Sequence, residues 1–273
     1  MRSDNLIEFN LLGNGLDFII KSLDPILDSS DKNELKYSLL HLSSGVELLL
    51  KERLRLEHWS LLFENVNGAR FDLLENATFK SVTFETLILR LNNIAQISLD
   101  TSQSKYFKEL RSRRNKIEHF SCQENSVSIK SLVSKVLAGI FSFLQDHFDT
   151  KLFPEKATKQ IKSLRGKSTA FNKFVRDRFL IIKVILNETD KNTLLNCPHC
   201  FQNCFVFSED LYCIFCGFSD IPSRVADEFI NYINLGKSSN NDFVKLTCCD
   251  HCNEQYAICY NDFIICFNCF YKT

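Results

Sequence analysis

The stretch Lys32–Leu54 reads KNELKYSLLHLSSGVELLLKERL, and its apolar spacing decides the fold class. Leu35, Leu39, Leu42, Val46 and Leu49 recur at alternating steps of four and three, the a/d spacing of a helix that buries one stripe in a bundle. Leu50, Leu54 and Leu61 widen that stripe. The pattern predicts one long helix over about residues 32–65, with Ser29, Ser30 and Asp31 as N-cap oxygens and Asn67-Gly68 as its stop. Working outward, helical patterns cover about 6–27 (disturbed by Gly13, Gly15 and Pro25), 83–95 (capped by Thr83), 101–120, 126–148 with Ile129, Leu132, Val136, Ile140 and Phe143 on one side, and 155–187 after Pro154. Residues 66–82 read as a loop. Short connections between long amphipathic helices predict a mainly α, up-down helical bundle.

Composition agrees. The 273 residues include only 8 Gly and 4 Pro, and 45% are hydrophobic, with 25 Phe. The formal net charge is zero, so no global field draws the chain onto nucleic acid. The charge is unevenly spread: Lys105–Lys116 holds six Lys or Arg against one Glu. The start, MRSDNLIEFN, lacks a cleavable apolar core. The most apolar run, Phe179–Leu186, is short and interrupted by Lys183. The expectation is a cytoplasmic protein with no membrane attachment.

Beyond Thr193 the texture changes. Of 12 cysteines, all but Cys122 follow Asn196. Cys197-x-x-Cys200 and Cys213-x-x-Cys216 are separated by twelve residues, and Cys249-x-x-Cys252 and Cys266-x-x-Cys269 by thirteen. Paired knuckles at this separation point to structural zinc, four thiolates per ion, with no open position for catalysis. Two sequential sites are expected; a cross-braced arrangement, a single cluster and reactive thiols are the other readings. Gly217 supplies a positive φ after its knuckle. Cys204, Cys248 and Cys259 are left over, and Cys248, His199 or His251 are possible substitute ligands. Strands are expected at 205–207 and 263–265, with a helix over 223–235 between the modules. The resulting order is a bundle over 1–150, a connecting helix over 151–192, a first zinc ribbon over 193–221, a linker over 222–246 and a second ribbon over 247–273. Phe201, Tyr212, Phe215, Tyr256 and Phe267 are either stacking platforms for RNA bases or core fillers of small metal modules. A protein partner for the ribbons is the other reading.

The hexapeptide Arg114-Asn115-Lys116-Ile117-Glu118-His119 carries the candidate chemistry. Cleaving RNA without a metal needs a group that handles the 2′-hydroxyl proton and a cation that holds the phosphate. Histidine suits the first role and a guanidinium the second. Asn115 and His119 share a helix face, while Arg114 lies about 140° round from His119 and must reach back. Glu118 is placed to pair with Arg114 at the i, i+4 spacing. The same residues also fit a plain surface helix end, with an Arg–Glu pair and a histidine favoured by the helix dipole.

Arg114, Asn115 and His119 match the Arg-x4-6-His pattern of the HEPN superfamily of ribonucleases. The stretch Leu40–Leu54 resembles that superfamily's second-helix signature, and Ser81–Glu85 its following short helix; the likeness covers about residues 5–150. The resemblance implies a helical bundle that forms a homodimer, with two Arg…His motifs facing one cleft, and a metal-independent endoribonuclease of toxin or anti-phage defence systems. It implies His119 as acid/base, Arg114 as phosphate clamp, Asn115 as polar positioning group and Glu47 as an orienting group, Glu47 being equally placed for a bridge to Lys51. Lys105, Lys108, Arg111 and Arg113 are expected as RNA-backbone contacts. An antitoxin or defence-system protein is the expected further partner. The alternatives are a catalytically silent HEPN-like module and a zinc-ribbon regulator that binds nucleic acid.

Overall fold

The computed structural model describes residues 10–28, 32–120, 124–235, 237, 243–260 and 263–272. The expected N-cap of residues 29–31 lies outside them. Among the described residues there are eight α-helices: α1 (Leu11–Asp28), α2 (Lys32–Glu57), α3 (Phe71–Glu75), α4 (Phe84–Asn93), α5 (Thr101–His119), α6 (Ser126–His147), α7 (Glu155–Glu188) and α8 (Pro222–Asn234). Five short strands follow α7: β1 (Leu194–Asn196), β2 (Asn203–Val206), β3 (Tyr212–Cys213), β4 (Ala257–Tyr260) and β5 (Phe263–Cys266). The protein is mainly helical, with two four-cysteine groups near its C-terminal end.

The chain divides into two compact units that do not follow chain order. The first comprises Met1–Gln103, Leu110–Ser121 and Val136–Thr169; the second comprises Ser104–Glu109, Cys122–Lys135 and Ala170–Thr273. Helices α5, α6 and α7 therefore each contribute to both, and α7, expected as a connector, is core to each half.

In the first unit, α1 and α2 form a helical hairpin. The α2 stripe is buried as its spacing requires: Leu35, Leu39, Leu42, Val46, Leu49, Leu50 and Leu54 are all at or below 8% exposure. Opposite it lie Leu12, Leu16, Ile19, Leu23 and Ile26 of α1. Gly15, one of the two glycines expected to disturb α1, serves this packing, since a Cβ on it would stand 3.1 Å from the Gly45 carbonyl oxygen. A Cβ on Gly45 would stand 2.5 Å from Ile19 Cγ1 and 2.8 Å from the Gly15 carbonyl oxygen, so only glycine permits the approach. Pro25 sits inside α1, which continues to Asp28.

Helix α2 ends at Glu57, not near residue 65. His58 leaves the helical region (φ −166°, ψ 138°), and its Nδ1 caps a 3-10 turn over Trp59–Leu62. The cause is tertiary. Arg90 of α4 donates from Nη1 to the carbonyls of Leu61 and Phe63 at 2.6 Å each, and from Nη2 to that of Glu64 at 2.9 Å. Those carbonyls are turned to the guanidinium instead of continuing a helix. Phe63 stacks on Phe79 with centroids 4.1 Å apart, and α3 forms where a plain loop was expected. Thr83 caps α4 as anticipated; α5 begins at Thr101, where its pattern placed it, behind Asp100 in a capping box with Gln103.

Helix α6, not Phe179–Leu186, is the most bilayer-like segment. It is long and apolar enough by length and composition to cross a membrane, yet more than half of its most apolar stretch is buried within the protein. Ile129, Leu132, Val133, Val136, Leu137, Ile140, Phe143 and Leu144 account for both properties, since each is a core residue.

Candidate functional site

The end of α5, in the first unit, carries the hexapeptide. Arg114 Nη1 lies 2.8 Å from Glu118 Oε2, and the same carboxylate oxygen lies 3.8 Å from His119 Nε2. Arg114 Nη1 also donates to Asn115 Oδ1 at 3.0 Å. One carboxylate thus stands between guanidinium and imidazole, and the pairing expected of Glu118 is formed. His119 is the last residue of α5, with its side chain 64% exposed, and Arg114 is 32% exposed. Both are open to a solvent-borne ligand. Chemically the group offers two cationic or proton-handling donors on one edge, suited to a phosphate diester.

Glu47 belongs elsewhere. Its Oε1 meets Lys51 Nζ at 2.6 Å and its Oε2 meets Arg111 Nη1 at 3.4 Å. Arg111 Nε also reaches Glu85 at 3.4 Å, and its guanidinium lies 5.0 Å from the centroid of the Phe84 ring. Glu47 and Arg111 therefore tie α2, α4 and α5 together, and the recorded bonds of Glu47 run to Lys51 and Arg111, not to Arg114 or His119.

Two expected RNA contacts are corrected. Arg113 is buried at 3% exposure, on the stripe of Phe107, Leu110 and Ile117, and its position there is closed to a phosphate chain. The i, i+3, i+7 relation of Leu110, Arg113 and Ile117 is the signal that marks it. Lys105 belongs to the second unit. Its Nζ lies 3.2 Å from the Tyr232 ring centroid and 5.8 Å from that of Phe201, and burial pushes its ammonium down to about 8. Lys108 is half-buried; Lys116, inside the hexapeptide but not among the expected RNA contacts, is exposed.

The second unit contains both cysteine groups. In the first, Cys197 and Cys216 sulfurs are 3.8 Å apart and Cys200 and Cys213 sulfurs 3.7 Å apart. In the second, Cys249–Cys269 and Cys252–Cys266 are each 3.7 Å. Four sulfurs at about 2.3 Å from one ion, at the corners of a tetrahedron, stand about 3.8 Å from each other. All four sulfurs of each group lie within 4.8 Å of one another. The donor sets fit two structural metal ions, bound sequentially and not cross-braced. Burial pushes the Cys197 thiol up, so thiolates in this core need a cation beside them.

The knuckles share one backbone device. In each, the residue four after the first cysteine donates its N–H to that cysteine's carbonyl: Phe201 to Cys197 at 3.0 Å, Gly217 to Cys213 at 2.8 Å, Asn253 to Cys249 at 2.8 Å and Phe270 to Cys266 at 2.9 Å. All four have positive φ, between 58° and 76°. Only Gly217 was legible, because the other three positions do not use glycine. The modules also repeat the same pairing. Leu195 faces Phe205 in the first as Thr247 faces Ala257 in the second, each two residues before and eight after the leading cysteine. Tyr212–Ser219 and Ile265–Lys272 bridges correspond in the same way.

The leftover groups are not ligands. Cys204 is fully buried and its thiol is pushed up to about 12 by that burial; Cys248 and Cys259 are exposed. His199 stacks on Phe218 at 3.8 Å and His251 on Tyr271 at 5.1 Å. Among the stacking candidates, Phe201, Phe215 and Phe267 are core residues and Tyr256 packs against the second cysteine group; Tyr212 is 37% exposed. No family model, curated protein or solved structure matches the chain.

Proposed function

We propose that this chain is a metal-independent endoribonuclease of the HEPN type, acting in a toxin or anti-phage defence setting, with two zinc ribbons as structural modules. The observation that carries the reading is the exposed Arg114–Glu118–His119 group at the end of α5, with guanidinium and imidazole on one carboxylate oxygen. His119 takes the 2′-hydroxyl proton as the oxygen attacks phosphorus. Arg114 leaves Glu118 for the non-bridging phosphate oxygens and stabilises the charge that builds there. A second copy of the chain contributes the facing motif, whose imidazole protonates the leaving 5′-oxygen. The products are a 2′,3′-cyclic phosphate and a 5′-hydroxyl. Asn115 holds the guanidinium's orientation.

Zinc is the proposed ion because four thiolates in a closed tetrahedron suit it and leave it no open position. Its contribution is folding free energy, which keeps the chemistry in the helical part. The competing reading, a catalytically silent module that binds protein or RNA, draws on the internal engagement of Lys105, Arg111 and Arg113, which leaves few free cations near the hexapeptide.

The test is cleavage of total RNA by the purified full chain in excess EDTA. Activity lost by a factor of about 10² or more in His119→Ala, with the helical circular dichroism retained, supports the nuclease. Absence of cleavage by the parent chain assigns the protein to the silent class, and undiminished cleavage in both His119→Ala and Arg114→Ala removes the hexapeptide from the chemistry.

A further inference from the structure

We propose that the second cysteine group is a peroxide-reactive metal–thiolate centre, in which Cys252 and Cys269 take the oxidant and Cys266 and Cys249 close the disulfides. This is independent of the nuclease reading. The two cysteine groups have the same ligand geometry but different access. Cys197, Cys200, Cys213 and Cys216 are all buried, none above 4% exposure. In the second group, Cys249 and Cys266 are buried while Cys252 and Cys269 are half-exposed. Each half-exposed sulfur has a buried one 3.7 Å away, Cys252 beside Cys266 and Cys269 beside Cys249. An attacked thiolate and a resolving thiolate are therefore already in reach of each other.

The chemistry balances with a hydroperoxide as oxidant. The Cys252 thiolate attacks one peroxide oxygen and the O–O bond breaks. The sulfur becomes a sulfenic acid, two electrons oxidised, and the released hydroxide takes a proton to become water. The Cys266 thiolate then attacks that sulfur, the S–S bond forms, the S–O bond breaks, and a second hydroxide leaves and is protonated. Cys269 and Cys249 follow the same course. The first disulfide alone would leave a bound ion two of its four thiolates, and the second would leave it none.

The consequence is local. The core around this group consists of Cys249, Ala257 and Cys266, with Cys252, Tyr256 and Cys269 packed against it, so the ligands are themselves most of its interior. The other face of the same hairpin, through Ile258, Tyr260 and Ile265, belongs to the large core of the second unit, as does Phe267 of the second knuckle. Oxidation loosens the two knuckles and leaves the hairpin seated.

The experiment treats the zinc-loaded full chain with hydrogen peroxide, follows zinc release with a chromophoric chelator, and maps disulfides by peptide mass spectrometry. One ion per chain is expected to leave about tenfold faster than the other, because accessible thiolates react first. The first disulfide is expected to be Cys252–Cys266 or Cys249–Cys269. The Cys248→Ser/Cys259→Ser double variant, which removes the two exposed thiols outside the ligand set among the described residues, is expected to release its first ion at the parent rate. Release of both ions at one rate, a first disulfide through Cys248 or Cys259, or protection by the double variant overturns the proposal.

Discussion

The two cysteine modules are built alike and held differently. Their strand registers correspond, their four left-handed knuckle residues fall at equivalent positions, and their sulfur tetrahedra have the same dimensions. The difference lies outside the knuckles. In the first module, Ser131 Oγ of α6 donates to the Cys200 carbonyl at 2.7 Å, Asn125 Nδ2 to that of Cys216 at 3.0 Å, and Arg178 Nε of α7 to that of Phe215 at 2.9 Å. Helices α6 and α7 and the residue that precedes α6 thus satisfy the backbone of its knuckles, and its four cysteines share one buried core with Phe205, Phe215 and Phe229. The second module joins that core by one face of its hairpin and by Phe267 and Phe270 of its second knuckle, while its sulfurs lie outside it. A metal inside a shared core is part of a domain's stability; a metal at its rim holds a local turn.

The largest break in this comparison is expected from removing one ligand of each group. Cys200→Ser is expected to abolish the inner site, and the loss, of order 10 kcal/mol if the ion is a structural zinc, is comparable to the whole stability of a typical domain. Its second unit is expected to lose cooperative unfolding. Cys252→Ser is expected to retain one metal ion per chain and a cooperative transition. Metal content by emission spectrometry and thermal melts read both variants; equal damage from the two would erase the distinction drawn between the modules.

Phe229 of α8 sharpens the comparison next. It is fully buried and packs against Phe205 of the first module at 5.1 Å and Phe267 of the second at 4.9 Å. Phe229→Ala is expected to cost about 3–5 kcal/mol and to loosen both modules together. Hydrogen exchange that rises in only one of them would show that α8 does not join them. The smallest effect is expected from Ser131→Ala. It removes a buried donor from the Cys200 carbonyl and an acceptor from the Gln202 amide, at about 1–3 kcal/mol. Denaturant melts should register that cost with the second metal site unaltered, and no measurable change would mean that the helix contact to the knuckle is ornamental.

How much of this was readable beforehand follows the reach of each interaction. The a/d repeat of α2 and the cysteine spacing are local, and both emerged at the expected residues. The end of α2 was not legible, because Arg90, some thirty residues downstream, binds the carbonyls of Leu61, Phe63 and Glu64 just beyond it. The positive φ of Phe201, Asn253 and Phe270 was hidden because hydrogen bonding in the knuckle overrides their steric preference. Arg113 was misplaced because its membership of a basic run outweighed its place on the Leu110/Ile117 stripe. Cysteine spacing specifies how four sulfurs meet an ion but is silent on what packs over them, so the unequal burial of the two groups required the fold.

The most direct test of the central claim joins chemistry to metal content. RNA cleavage by the full chain is measured while a chelator withdraws its ions one at a time. The account predicts a rate unchanged after loss of the first ion, products ending in 2′,3′-cyclic phosphate, and no activity in His119→Ala at any metal content. Cleavage that falls in proportion to the first ion lost, or that survives in His119→Ala, would contradict it.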